Sequence, residues 1–595
     1  MRNILKPLGL VGSAVLLSSV TPAADPSLSS ETLRQLDPSR QFGRICGKQG
    51  MQGKALRDRL QLAAASQPAA TKSADSPPSL LQGMGSVHFP ISTTNELAQR
   101  YFDQGLTLSY GFNHAEAIRA FREAQRRDPR CAMCWWGEAL AHGPNINAPM
   151  NPEVTAQTVS ATQRASALKM NATPVEQALI DALALRYSSD PAADRAALDQ
   201  RYAHAMLTVA RRFPQQDDVT LLAAEAIMDT HPWDYWESDG RTPKGQIGEA
   251  VKLVETVLAR SPDHPQAAHL YIHLMESTAE PARAEAAADR LARPLVPAAG
   301  HLVHMPGHLY YRVGRFADAI RVNVAAARVD EAYLARSKEA GLYRFGYYPH
   351  NVHFIVTSAQ MAGDMKTAIR EVRRLGAILN TDLSASMPWV QPVDAAPYLA
   401  YAQFASPAET LALPPPDARL PYVTAMWHYA RAVARAQTRD DARFAIELAA
   451  IAKIRETTDF KPMVDQLVPA PDLLRLAETV AKGRLAYAHG RYGDAVKLYE
   501  QAVSIEDGLR YMEPPFWYYP VRQSLGAALY RAGRFKEARQ AFIAAIAQSP
   551  NNGWALFGLA ATHRALGDRV SAAAAEAALK RAWLGDRRWL RMDRL

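Results

Sequence analysis

Apolar residues along most of the chain recur at i, i+3, i+4 and i+7, the spacing of helices with one buried face. Ala, Leu, Arg and Glu fill these segments and β-branched clusters are few, so helices are expected throughout. The helical segments come in pairs of nearly constant length. From Ala98 to Pro129, Gly105 and Ala117 fall at positions 8 and 20 of such a pair, and Phe121, Ala124 and Pro129 at 24, 27 and 32. Small residues at 8 and 20 let two helices approach closely, and the proline stops the second helix.

This pattern resembles the tetratricopeptide repeat, a 34-residue helical hairpin. The next unit begins near Ala132, and others near Pro265, Gly300, Pro349, Leu476, Tyr519 and Gly553. Their anchors include Gly307 with Ala319, Ala368, Gly483 with Ala495, Gly526 with Ala538, and Ala560 with Ala572. The resemblance implies an all-α fold, an α-solenoid of repeat hairpins, whose concave groove takes a peptide or protein partner. It covers about half the chain, as single repeats. Residues 143–216 form an insertion with three helical patterns, and HPWDYWESDGRTPKG (231–245) a second, irregular one. The expected organisation is a leader (1–24), a Ser/Ala/Pro/Gln-rich extension (25–90), an N-terminal array with insertions (91–375), a Pro-rich irregular linker (376–420) and a C-terminal array (421–595).

Composition narrows the partners. Arg2 and Lys6, an apolar run from Leu8 to Val20, and Ala23-Ala24 read as a secretory signal, so a periplasmic or secreted protein is expected. No later stretch is apolar enough to span a bilayer. The formal charge of +9 comes from scattered residues without an aromatic-interleaved basic stripe, so no nucleic-acid partner is expected. Cys131 and Cys134 form C-x-x-C without a following histidine. That excludes haem attachment and leaves a structural disulfide as the favoured reading, with a redox pair as the other.

The candidate chemistry lies in histidine. Eight of the 16 histidines fall between His264 and His353, and seven follow the repeat register. His269 and His273 stand at positions 5 and 9 of the Pro265 unit, with Glu276 at 12. His301, His304 and His308 stand at 2, 5 and 9 of the Gly300 unit, and His350 and His353 at 2 and 5 of the Pro349 unit. On a helix these positions form one stripe, facing the groove in the family that the chain resembles. The i, i+3 and i, i+4 spacings present two ligands to one ion, and clustered buried imidazoles are costly without a cation. A transition metal is therefore expected on His269, His273, His301, His304, His308, His350 and His353, with copper favoured and iron or zinc open. Seven imidazoles exceed the needs of one tetrahedral ion, so two ions, or one ion with outer histidines, both remain open. Packing alone and a metal-free ligand groove are the competing readings.

Pro306 leaves the geometry open. Either the helix runs through it with a kink, or it begins there and takes His301 and His304 off the stripe. Met305 is the one thioether near the cluster. Glu276, as a base, and Tyr347 are the candidate catalytic residues. Trp233, Asp234, Tyr235, Trp236, Asn145 and Asn147 are the candidate substrate contacts, as a platform or lid, against plain roles in plugging the core or shaping turns. Tyr343 and Tyr348 flank the cluster, and His88 is a remote candidate donor. The chain has no H-E-x-x-H, no phosphate-cradling glycine loop, no dinucleotide fingerprint and no nucleophile elbow. The expected function is an exported metalloprotein that binds a transition metal through these histidines, with metal-dependent oxidation and then metal-assisted hydrolysis as its candidate activities, and a protein-interaction module or metal storage or delivery as the alternatives.

Overall fold

A computed structural model describes residues 77–595 apart from 294 and 338–342, so the expected leader and most of the extension lie outside the described residues. Among the described residues the architecture is all-α, a solenoid of helical hairpins without β-strands. The N-terminal array opens with α1 (Glu96–Tyr110), α2 (His114–Arg127) and α3 (Ala132–His142). It continues through α4 (Asp217–Met228), α5 (Ile247–Arg260), α6 (Pro265–Met275), the broken helix α7 (Gly300–His304) and α8 (Pro306–Arg312), then α9 (Phe316–Arg336), α10 (Tyr348–Ala362) and α11 (Met365–Ile378). The insertion after α3 holds the three expected helices, Thr155–Leu168, Pro174–Ala184 and Arg195–Arg212.

The repeat anchors work as a ring-on-glycine contact. A Cβ on Gly105 would stand 2.7 Å from the Phe121 ring, and one on Gly137 2.4 Å from it, so Phe121 is clasped between its own first helix and the next one. Phe542 is clasped by Gly526 and Gly558 in the same way. Any larger residue at these glycines would force the helices apart and open a cavity.

Residues 376–420 are irregular only in part: they carry the short helices Thr381–Ser386, Gln391–Asp394, Ala396–Phe404 and Pro407–Leu411, and Pro392, Pro397 and Pro407 sit in first turns, where no backbone donor is lost, while Pro414, Pro415 and Pro416 lie outside helices. They do not separate the cores. One core runs from Phe89 to Tyr347 and the other from Ala327 to Leu595, so the two meet along α9 and α10. The C-terminal array folds back onto this seam: the Trp554 indole N–H donates to the Gln360 carbonyl (3.0 Å) and the Leu584 amide to that of Ala362 (2.9 Å). Cys131, bonded to Cys134, caps the start of α3.

Candidate metal centre

The helix around Pro306 decides the site. It starts at Gly300, before His301, and Met305 keeps right-handed helical angles (φ −51°, ψ −38°) between α7 and α8. The turn is tightened rather than broken, with the His308 amide donating to the Met305 carbonyl (3.2 Å). His301, His304 and His308 therefore stay on one face.

Six histidines then form two triads. In His269–His273–His301 and in His304–His308–His350, one ring nitrogen from each residue lies within 4.8 Å of the others. Both obey one rule: positions 5 and 9 of one repeat join position 2 of the next. His301 Nε2 lies 3.2 Å from His269 Nε2, and His350 Nε2 lies 3.3 Å from His308 Nε2. Nitrogens bound at about 2.0–2.1 Å around one tetrahedral ion stand about 3.3 Å apart, so these pairs already have the spacing of co-ligands. The triads face each other, with ring centres 5.8 Å apart for His273 and His308, and 5.9 Å for His301 and His304.

The shell behind the imidazoles fixes which nitrogen faces inward. Glu276 accepts from His273 Nδ1 (2.8 Å) with one oxygen and from His308 Nδ1 (2.7 Å) with the other. A carboxylate only accepts, so both imidazoles carry a proton on Nδ1, and each ring when neutral presents a bare Nε2. Gln266 donates its amide to Glu225 (3.1 Å), which turns its oxygen toward His269 Nδ1 (3.0 Å). Asn323 donates to the Ala319 carbonyl (2.8 Å), which turns its oxygen toward His304 Nδ1 (2.5 Å). Four Nε2 lone pairs are thus set by the surrounding protein. Those of His273 and His304 are buried without a hydrogen-bond partner.

The site is dry. His269, His273, His301, His304 and His308 are 0–2% exposed. Burial, then the neighbouring imidazoles, hold His269, His301, His304 and His350 well below the usual histidine range. Burial also lowers His273, against the pull of Glu276. His308 goes the other way: burial opposes its charge, but the Glu276 carboxylate outweighs burial and raises it. Glu276, despite burial, is held down to about 2 by His308 and His273 and stays ionised. Rings close the faces, with Phe112 4.7 Å from His269 and Phe354 4.6 Å from His308. Trp233 spans both triads, 5.2 Å from His273 and 6.5 Å from His308. Phe112 (φ +54°) and Trp233 (φ +60°) hold backbone angles costly for bulky residues, as happens where side-chain aim outweighs local comfort.

Several expected site residues lie elsewhere. His353 joins neither triad; it packs on Tyr518 with ring centres 5.4 Å apart. Position 9 of its repeat is Thr357, so no partner completes a third triad. Glu276 stands behind the imidazoles, with one oxygen on His273 and the other on His308. Of the 233–236 segment only Trp233 reaches the cluster. Asp234 pairs with Lys244 (2.6 Å), Tyr235 is a core residue, and Trp236 donates to the Leu274 carbonyl (2.8 Å). Asn145 shapes a turn by accepting from the amides of Asn147 and Ala148, whereas Asn147 accepts the Trp233 indole N–H (2.9 Å). Tyr347 packs 5.0 Å from His301. Tyr343 and Tyr348 donate to Asp330 and Glu331, Met305 is buried in the core, and His88 bonds the Asp103 carboxylate on the surface.

The sequence reading missed Gln266, Asn323, Phe112 and Phe354, and also a contribution from the second array. Tyr511 donates to Glu513 and lies 3.2 Å from the Glu276 carbonyl, which also accepts from Arg312 Nε (2.7 Å). Glu513, raised by burial and by nearby Glu276, adds a second buried carboxyl beside His308. Only Asn323 had a readable signal: it stands at position 24, where Phe121, Tyr499 and Phe542 place rings.

No family model matches the chain, and no curated protein matches it. Among solved structures it is similar to an IFIT1 monomeric mutant with m7Gppp-AAAA (11% identity, TM-score 0.30) and to the human IFIT1 dimer with m7Gppp-AAAA (11%, 0.27). Each of these covers 92% of this chain and 99% of that one. A Naa15/Naa10 structure bound to HypK-THB covers 82% of this chain and 89% of that one (11%, 0.21). At these TM-scores the likenesses carry no argument about function. No helix among the described residues is long and apolar enough to cross a membrane.

Proposed function

We propose that the protein is a metalloprotein whose paired histidine triads hold two transition-metal ions. Its proposed activity is metal-dependent oxidation–reduction on a small reactant. The observation that carries this reading is the recurrence of one ligand rule in two successive repeats, each triad with two of its three inner nitrogens set by hydrogen bonds behind them. Packing alone would not orient bare lone pairs toward one another in a dry interior, because each is then an unsatisfied buried acceptor.

Six imidazoles without a carboxylate ligand suit copper first, then zinc or iron. Three nitrogens per ion leave positions for an exogenous ligand, and the depth of the cluster limits that ligand to small molecules. The same depth argues against metal delivery, which needs an exposed and exchangeable ion. Metal-assisted hydrolysis loses its candidate base in Glu276. Export to an oxidising compartment remains part of the proposal, and the Cys131–Cys134 bond fits it. The repeats outside the site are free to take a peptide or protein partner.

Elemental analysis of protein purified without an affinity tag tests the reading. About two equivalents of one transition metal are expected, and less than about half an equivalent, with no uptake on titration, would overturn it.

A further inference from the structure

Behind the first triad lies a second polar site. Tyr110, His114, Arg186, Tyr202, Glu225 and Asp229 line a cavity of about 20 Å³ between α1, α2, α4 and the inserted helices, with room for one water-sized occupant. Arg186 donates to Asp229 (2.6 Å), and Arg195 pairs with Asp199 (2.9 Å). That leaves Glu225, whose side-chain hydrogen bond is to the neutral amide of Gln266. Two guanidinium groups thus face three carboxylates. His114 adds no positive charge, since burial and then Arg186 lower it to about 4. One negative charge is in surplus, and an uncompensated buried charge is costly. Burial pushes the Glu225 carboxyl up to about 7 and also raises Asp229 against the pull of Arg186, as expected where buried carboxylates outnumber cations. Polar atoms are also left over: Tyr202 Oη and Asp229 Oδ1 have no hydrogen-bond partner, on residues only 2% and 6% exposed.

We propose that this chamber binds a single water-sized monovalent cation, potassium or ammonium, and that the bound cation supports metal binding at the first triad through the line Glu225–Gln266–His269. A divalent ion would overshoot the surplus, and an organic cation exceeds the cavity. The second clause rests on the metal reading above. With the cation in place, Glu225 is an acceptor for the Gln266 amide, and the Gln266 oxygen then faces His269 Nδ1, leaving Nε2 for the ion. A protonated Glu225 offers Gln266 a donor as well, and the amide is then free to turn over.

The test begins with the metal-free full chain, melted at pH 8 in potassium chloride, ammonium chloride or choline chloride at matched ionic strength. A saturable rise in Tm of a few degrees is expected in potassium or ammonium over choline, and the two salts identify which cation is taken. Equal Tm values in all three overturn the site. Glu225→Gln removes the surplus and should melt alike in every salt; a retained response also overturns it. Should that variant fail to fold, Tyr202→Phe should weaken the cation response in an intact protein, and an unchanged response counts against the site. Zinc alone, titrated against a chelator, should bind about tenfold more weakly in choline than in the effective salt, a dependence that Gln266→Leu abolishes. Equal zinc affinity in all salts overturns the coupling. Zinc binding in no salt would sink the metal reading, while the melting experiment still decides the chamber.

Discussion

The Asn323 side-chain oxygen lies 2.5 Å from His304 Nδ1, and Asn323 occupies the repeat position that holds a ring in the units of Phe121, Tyr499 and Phe542. A Cβ on Gly307 would stand 2.3 Å from its amide nitrogen, so the usual ring-on-glycine contact is here an amide-on-glycine contact. The repeat exchanges apolar packing for the aim of one imidazole. Asn323→Leu should restore the apolar contact but leave His304 Nδ1 without an acceptor. The expected result is a loss of metal affinity of about 10–100-fold with no loss of thermal stability, read by chelator competition and by melting of the metal-free protein.

His353 provides the internal control. His273→Ala and His308→Ala each remove a triad member and should lower the metal content by at least one equivalent. His353→Ala should leave the content at wild-type level and cost about 1–2 kcal/mol through lost packing on Tyr518, read by denaturant unfolding. Loss of metal in His353→Ala would contradict the triad assignment.

Much of this was legible in the sequence because a repeat register turns spacing into geometry. Positions 5 and 9 with position 2 of the next unit pick out both triads, and the threonine at 357 already shows that His353 lacks company. The Pro306 ambiguity was not legible, since a proline fits either the first turn or a tightened interior one. The second array's approach was not legible, because Tyr511 and Glu513 meet Glu276 through a contact more than 230 residues apart in sequence that no local pattern records. The linker misled in part for a related reason: Pro392, Pro397 and Pro407, read as breakers, are first-turn residues of short helices.

Away from the histidine triads, Glu506 should give stability a measurable pH dependence. It accepts from the Val521 amide at the start of the helix Val521–Arg531, and burial, against the pull of Arg522, raises its carboxyl to about 8. A carboxyl raised on folding binds its proton more tightly when folded, so its contribution is complete below about pH 4.5 and fades as pH rises toward 8. Unfolding free energy should therefore fall across that window by an amount on the order of a few kcal/mol. Glu506→Gln should flatten this part of the profile, as followed by denaturant unfolding at several pH values. An unchanged slope would place the dependence elsewhere.

Glu276→Gln tests how the triads are joined. The carboxylate accepts from His273 and His308 together, but a glutamine has one oxygen and one NH2 group. Its oxygen can keep one imidazole as it is. Its NH2 group must face the other Nδ1, which then has to accept, and the proton moves to that ring's Nε2. A protonated Nε2 cannot be a ligand, so one triad loses a donor while the other keeps all three. The expected metal content is about one equivalent, rather than two or none, in a protein that still folds. Glu276→Ala removes both acceptors and should weaken both ions together. Wild-type content in Glu276→Gln would mean that the triads set their own tautomers, and that Glu276 only offsets the charge they carry.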